Sequence, residues 1–142
     1  MESLRGVAAY RAVEGLGAEP EDFMKMAMDV SRDFLLQAEA AIIAGDRPTK
    51  AKALSSAGRL VEFMLGLSGS ERGVLSDRLA CVYQFALAAI LKGNAGDDVE
   101  AVAAGRLAIE QLAAAWRKIF PDASVVGSSA VDELLSGRDD DA

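Results

Sequence analysis

The chain has 142 residues, 51% hydrophobic but only 6% aromatic, with 15 basic and 22 acidic side chains for a net charge of -7 and no histidine. That length suits one core and one domain, and the acidic balance, with no basic stripe to offset it, repels a phosphate backbone and argues against nucleic acid as a partner. The missing histidine removes Ser/His and Cys/His catalysis and the Glu-x-x-His pairs of helical di-iron bundles, so no catalytic residue, metal or cofactor is expected.

Much of the apolar content is Ala, Leu and Met, which favour helix over strand and predict an all-α protein. The opening "MESLRGVAAYRAVEG" has neither the basic start and apolar block of a secretory signal nor its cleavage site. The single Cys81 can form no internal disulfide, and it reads as a small core side chain within an apolar helix. Gln37, Glu39, Lys92 and Glu110 interrupt the apolar runs before the roughly 20 residues of a membrane span. These features predict a soluble protein in a reducing cytoplasm.

Residues 3 to 14 form a short leading segment. A first long helix is expected near residues 20 to 44, starting at Pro20 with Glu21 and Asp22 and stopping at Gly45. Its stripe is Phe23, Ala27, Val30, Phe34, Ala38, Ala41 and Ile42. After Asp46 and Pro48 a second helix over about 48 to 67 carries Leu54, Ala57, Leu60 or Val61, Met64 and Leu67, and closes at "SGSERG". The third stripe is Leu75, Leu79, Val82, Ala86 and Ala89, widened by Tyr83, Leu87 and Ile90, with Gly93 placed as its C-cap. The fourth follows Asp97 and Asp98 with Val102, Ile109, Leu112, Trp116 and Ile119, until Pro121 forbids continuation.

Four long helices with short links make an antiparallel four-helix bundle over residues 1–121. An extension over 122–142 adds one short helix, opened by a Ser129-to-Asp132 capping box, and an acidic tail "RDDDA". In that helix Val131, Leu134 and Leu135 share a face. It is too short to persist alone in water, so it docks on the bundle, either as an internal competitor for a ligand groove or as a cover for a permanent core edge.

Most polar motifs have plainer explanations than chemistry. Asp97 with Asp98 and the run Asp139 to Asp141 lack the alternation of a calcium loop and read as a helix cap and a solvated tail. "GLGAEPE" has no preceding strand, and acids crowd the helix start where a phosphate would sit. Arg32, Arg59, Arg78 and Arg106 could converge on an anionic substrate, but solvated helix faces account for them better; Trp116 and Tyr83 could stack a ligand, but a bundle core needs large residues too. What remains is an apolar excess: Met24, Met28, Leu36, Ile43, Phe63, Leu65, Phe85 and Leu91 lie outside one narrow seam per helix. Amphipathic segments seated in grooves between helices are the natural ligand for such a surface, and a wide core or a homodimer seam is the plainer alternative.

The motifs also line up with a known family. "AYRAVEG" looks like an N-terminal Ala-Tyr with Val-Glu following, "PEDFMKMAMDV" resembles a Pro-x-x-Leu stretch leading to Met-Leu-Tyr-Asp-Gly, and "QAEAAIIAGD" is similar to a Gln-Ala-x-x-Ala-Ile-x-x-Gly-Asp helix end. "KALSSAGRLVEFMLGL", Gly73 with "LSDRLACVYQF", Asn94 with Asp97, and "LAAAW" continue the match in order over about residues 9 to 117. Together they resemble FliS, the flagellin export chaperone, with Met28, Val30, Val74 and Phe85 departing from its pattern.

The resemblance implies a cytoplasmic bundle that binds the C-terminal helical segment of flagellin, prevents premature polymerisation and holds the subunit for the flagellar export gate, without turnover. It places flagellin contacts near Met28, Leu60, Leu79 and Tyr83, and it makes Tyr10 and Val13 part of a mobile N-terminal segment that lies over the apolar surface and allows a homodimer. Two other classes stay open: a small helical enzyme acting on an anionic substrate, and a structural helical dimer.

Overall fold

The computed structural model describes residues 19–68 and 73–121. The expected segments at 3 to 14 and 129 to 137, and Tyr10 and Val13 with them, lie outside the described residues. Among the described residues four helices occur in the order α1 (Pro20–Ala44), α2 (Arg47–Ser68), α3 (Val74–Gly96) and α4 (Val99–Ile119). They close a ring in which α1 and α3 each pack against both α2 and α4. This is the all-α antiparallel bundle that the periodicity predicts.

The helix ends follow from local chemistry. Pro20 opens α1 with Glu21 and Asp22 in the first turn, where acids complement the amide dipoles. Gly45 closes it at φ 73°, and the Gly45 N–H to Ile42 O and Asp46 N–H to Ala41 O bonds complete a Schellman motif. Asp46 then opens α2: its Oδ1 accepts from the Thr49 N–H at 3.1 Å, and its carbonyl from Lys50 N–H. Hydrogen bonds from the Thr49 side chain and then from its N–H hold the Asp46 carboxyl below its ordinary pKa. Hence a two-residue link suffices to reverse the chain.

The α3–α4 link is equally short but differs from expectation. Gly93 is not a cap: α3 runs on to Gly96, and Asp97 ends it in the left-handed region at φ 52°. Asp97 holds that conformation because the Lys50 ammonium binds its Oδ1 at 2.5 Å and the Asn94 carbonyl at 3.1 Å, tying the start of α2 to the link. Asp98 is the N-cap of α4, its carboxylate accepting from the Ala101 N–H.

Gly93 is instead buried where α3 meets α4, and a Cβ there would collide with Val102 Cγ2. A Cβ on Gly105 would lie 2.8 Å from that of Ala89. Missing side chains therefore let the two helices approach closely. Around this contact the core gathers Phe23, Leu54, Leu60, Tyr83, Ile109 and Trp116. Trp116 Nε1 donates to the Glu21 carbonyl, which seats the end of α4 against the start of α1.

The core is wider than one seam per helix, so Met24 and Met28 belong inside it, whereas Val30, Phe34 and Ile42 are only partly buried. Further expectations are corrected: Leu75, placed on the α3 stripe, and Ile119, placed on the α4 seam, are exposed. Cys81 is exposed, because the inward positions go to Leu79, Tyr83, Ala86 and Ala89, and residue 81 falls opposite them. The helix is also long and apolar enough, by length and composition, to cross a membrane, since Lys92 is the sole charge between Arg78 and Asp97. Its inner side nevertheless packs on α2 and α4 as a bundle element.

Candidate functional site

Of the residues expected to meet a ligand, Met28, Leu60, Leu79 and Tyr83 share one buried cluster contributed by α1, α2 and α3. Tyr83 donates its hydroxyl to Met24 Sδ at 3.2 Å, and burial pushes the phenol's pKa up, so it stays neutral. A partner resting on the closed bundle therefore meets a layer above these four side chains. Tyr10 and Val13 lie outside the described residues.

The accessible apolar side chains are elsewhere. On α3 they are Val74, Leu75, Phe85, 51% exposed, and Leu91, 69% exposed, with Cys81 among them. On α1 they are Leu36 and Ile43, and on α4 Leu107 and Ile119. The apolar excess thus divides: Met24 and Met28 fill the core, Phe63 and Leu65 pack partly against it, and Leu36, Ile43, Phe85 and Leu91 remain in solvent. Leu107 escaped the sequence reading because it is neither on the Val102–Ile109 seam nor in an apolar run; its neighbour Arg106 masks it.

Charge is organised between these patches. Arg106 of α4 binds Glu39 of α1 through Nε at 2.5 Å and Nη2 at 3.3 Å, and Glu110 through Nη1 at 3.0 Å. The Glu39 carboxylate, then Glu110, raises the Arg106 pKa and keeps it charged. Leu36 and Ile43 stand one helical turn to either side of Glu39, and Leu107 adjoins Arg106, so exposed apolar groups bracket the ion pair. Arg117 makes a second α4–α1 tie, its Nη2 contacting both Asp29 oxygens at 3.0 and 2.9 Å.

This arrangement suits contact with another helix better than chemistry on an anion. Of the four arginines considered together, Arg106 is committed to Glu39 and Glu110, and Arg32 pairs with Asp33. The family model described as Flagellar protein FliS matches residues 4–123. The chain belongs to the FliS family. It is also 27% identical over 130 residues to the Flagellar secretion chaperone FliS of Salmonella typhimurium (strain LT2), covering 87% of this chain and 96% of that one. The family supports a role as a flagellar export chaperone, which is not an enzyme class. Its match stops at residue 123, leaving the last part of the extension outside.

Proposed function

We propose that the chain is a cytoplasmic export chaperone that binds the C-terminal helical segment of flagellin, prevents its premature polymerisation and presents it to the flagellar export gate. The observation that carries this reading is the set of large apolar side chains left in solvent on the outer faces of α1, α3 and α4, in a bundle whose own core is closed. An amphipathic segment laid across such faces removes apolar surface from water at about 25 cal/mol per Å². A disordered flagellin tail folding there spends part of that gain on ordering, which keeps the complex releasable. No bond is made or broken.

In this reading Phe85, Leu91, Leu36 and Leu107 make direct contacts. Met28, Leu60, Leu79 and Tyr83 form the layer beneath, and they meet flagellin only where helices part to admit it. The methionines Met24, Met28 and Met64 let that layer adjust. Tyr10 and Val13, on the N-terminal segment, overlie part of the same surface until flagellin replaces them.

The test is copurification of the tagged full chain with flagellin from its own bacterium, followed by a polymerisation assay. The expected result is an equimolar complex whose flagellin does not assemble into filaments. Flagellin that fails to copurify, or that polymerises at an unchanged rate, overturns the reading.

A further inference from the structure

We propose that the chain from Ser129 onward is the protein's own cover for the outer face of α3, seated over Cys81 and Phe85. The face itself is the first reason. Val74, Arg78, Cys81 and Phe85 follow one another at four- and three-residue spacing, all are exposed, and apolar groups predominate.

The path of the chain is the second reason. Gly93 against Val102 and Gly105 against Ala89 set an antiparallel register between α3 and α4. Continued down the pair, that register brings Phe120 level with Leu75, beside the start of α3. From Pro121 the backbone reaches Ser129 with a span of up to about 26 Å at roughly 3.3 Å per residue. Phe85 lies only about 16 Å along the helix axis from Val74 at 1.5 Å per residue. The chain from Ser129 therefore reaches the face with slack.

Its chemistry also fits. Val131, Leu134 and Leu135 fall on one side of the segment, with Asp132 and Glu133 turned away from them. Residues 122–142 carry six acidic groups and one basic group, while Arg78 on α3 and Lys118 in the last turn of α4 are exposed at the end where that chain emerges. Asp77 is the acid on α3 nearest to Arg78 in sequence, and no other acid follows on that helix. A helix of this length gains stability only by docking. The outer face of α2, with Lys52, Ser55, Arg59 and Glu62 exposed, offers no comparable apolar seat.

Cys81 is the sole cysteine, so its alkylation reports on this face directly. The experiment compares iodoacetamide labelling of the full chain with that of the full chain carrying Leu134→Asp and Leu135→Asp, at several protein concentrations and with far-ultraviolet circular dichroism as the folding control. The cover predicts faster labelling of the variant, on the order of tenfold, because protection scales with the ratio of docked to open forms. Equal rates at equal helicity overturn the proposal. A rate that falls with protein concentration and ignores the tail substitutions assigns the face to a second copy, and also overturns it. Flagellin is absent from the experiment, so the result is independent of the chaperone reading.

Discussion

Helices α2 and α3 are neighbours of similar length, both with a buried inner face, yet their outer faces differ. Along α2 the exposed positions include Lys52, Ser55, Arg59 and Glu62; along α3 they include Cys81, Phe85, Ala88 and Leu91. Besides Leu79, Tyr83 and Ile90, the inner face of α3 buries the small Ala86, Ala89 and Gly93 where α4 approaches, while the larger Phe85 and Leu91 stand in water. A tight helix contact selects small side chains, so size as well as polarity sorts the two faces. The apolar excess of this protein is consequently a local property of particular surfaces, which is what a partner-binding bundle requires.

The largest effect should come from breaking the inner face. Gly93→Leu drives a side chain into Val102, and should destabilise the bundle by about 3 kcal/mol or more, as overpacking does. Thermal unfolding would then shift downward by roughly 10 °C. Urea denaturation followed by circular dichroism checks the same loss.

Next come charges placed on the two outer faces. Phe85→Asp with Leu91→Asp should weaken flagellin-peptide binding by about tenfold or more, and leave stability within about 0.5 kcal/mol of the parent, as surface changes do. Ser55→Asp with Arg59→Asp on α2 should leave binding unchanged. Equal losses from both pairs would erase the distinction between the faces.

A smaller effect is expected at the clamp between α1 and α4. Glu39→Gln removes the principal carboxylate from Arg106 but leaves Glu110 in place, so chemical denaturation should show a loss of about 1 kcal/mol, within the usual range for a partly exposed pair. Asp97 gives the smallest effect. The Lys50 ammonium, donating to its carboxylate, holds the folded pKa below the ordinary value of 3.8. That contribution is therefore complete above the unfolded pKa and is lost as pH falls through the folded one. Asp97→Asn, whose side chain tolerates the left-handed backbone, should flatten the fall in stability below about pH 4 and leave the rest of the pH profile unaltered.

The periodicity of apolar residues and the punctuation at Pro20, Gly45, Asp98 and Pro121 were enough to locate all four helices, because caps and seams are local signals. Gly93 shows where local signals end. A glycine followed by Asn and Ala resembles a cap, and only the position of Val102 on the next helix reveals that it is a packing point within α3. Cys81 was read as a core side chain for a related reason: α3 is apolar over most of its length, which hides one small outward residue, although the inward stripe through Leu79, Ala86 and Ala89 and the place of Phe85 outside it were legible. The motifs gave the family legibly, since their order spans most of the chain, and the match over residues 4–123 agrees. In the exposed apolar layer Leu36, Ile43, Phe85 and Leu91 were legible as residues outside the seams, whereas the burial of Met24 and Met28 was not, because how wide the core is depends on how the helices close on one another.

In the proposed function, exposed apolar helix faces receive the C-terminal segment of flagellin. Isothermal titration of the full chain with a peptide of that segment, with circular dichroism on the same mixtures, tests it most directly. The expected result is a saturable heat at one peptide per chain, a negative heat-capacity change from apolar burial, and more helix in the mixture than in the separate components. No heat and no gain in helicity across the titration would contradict it.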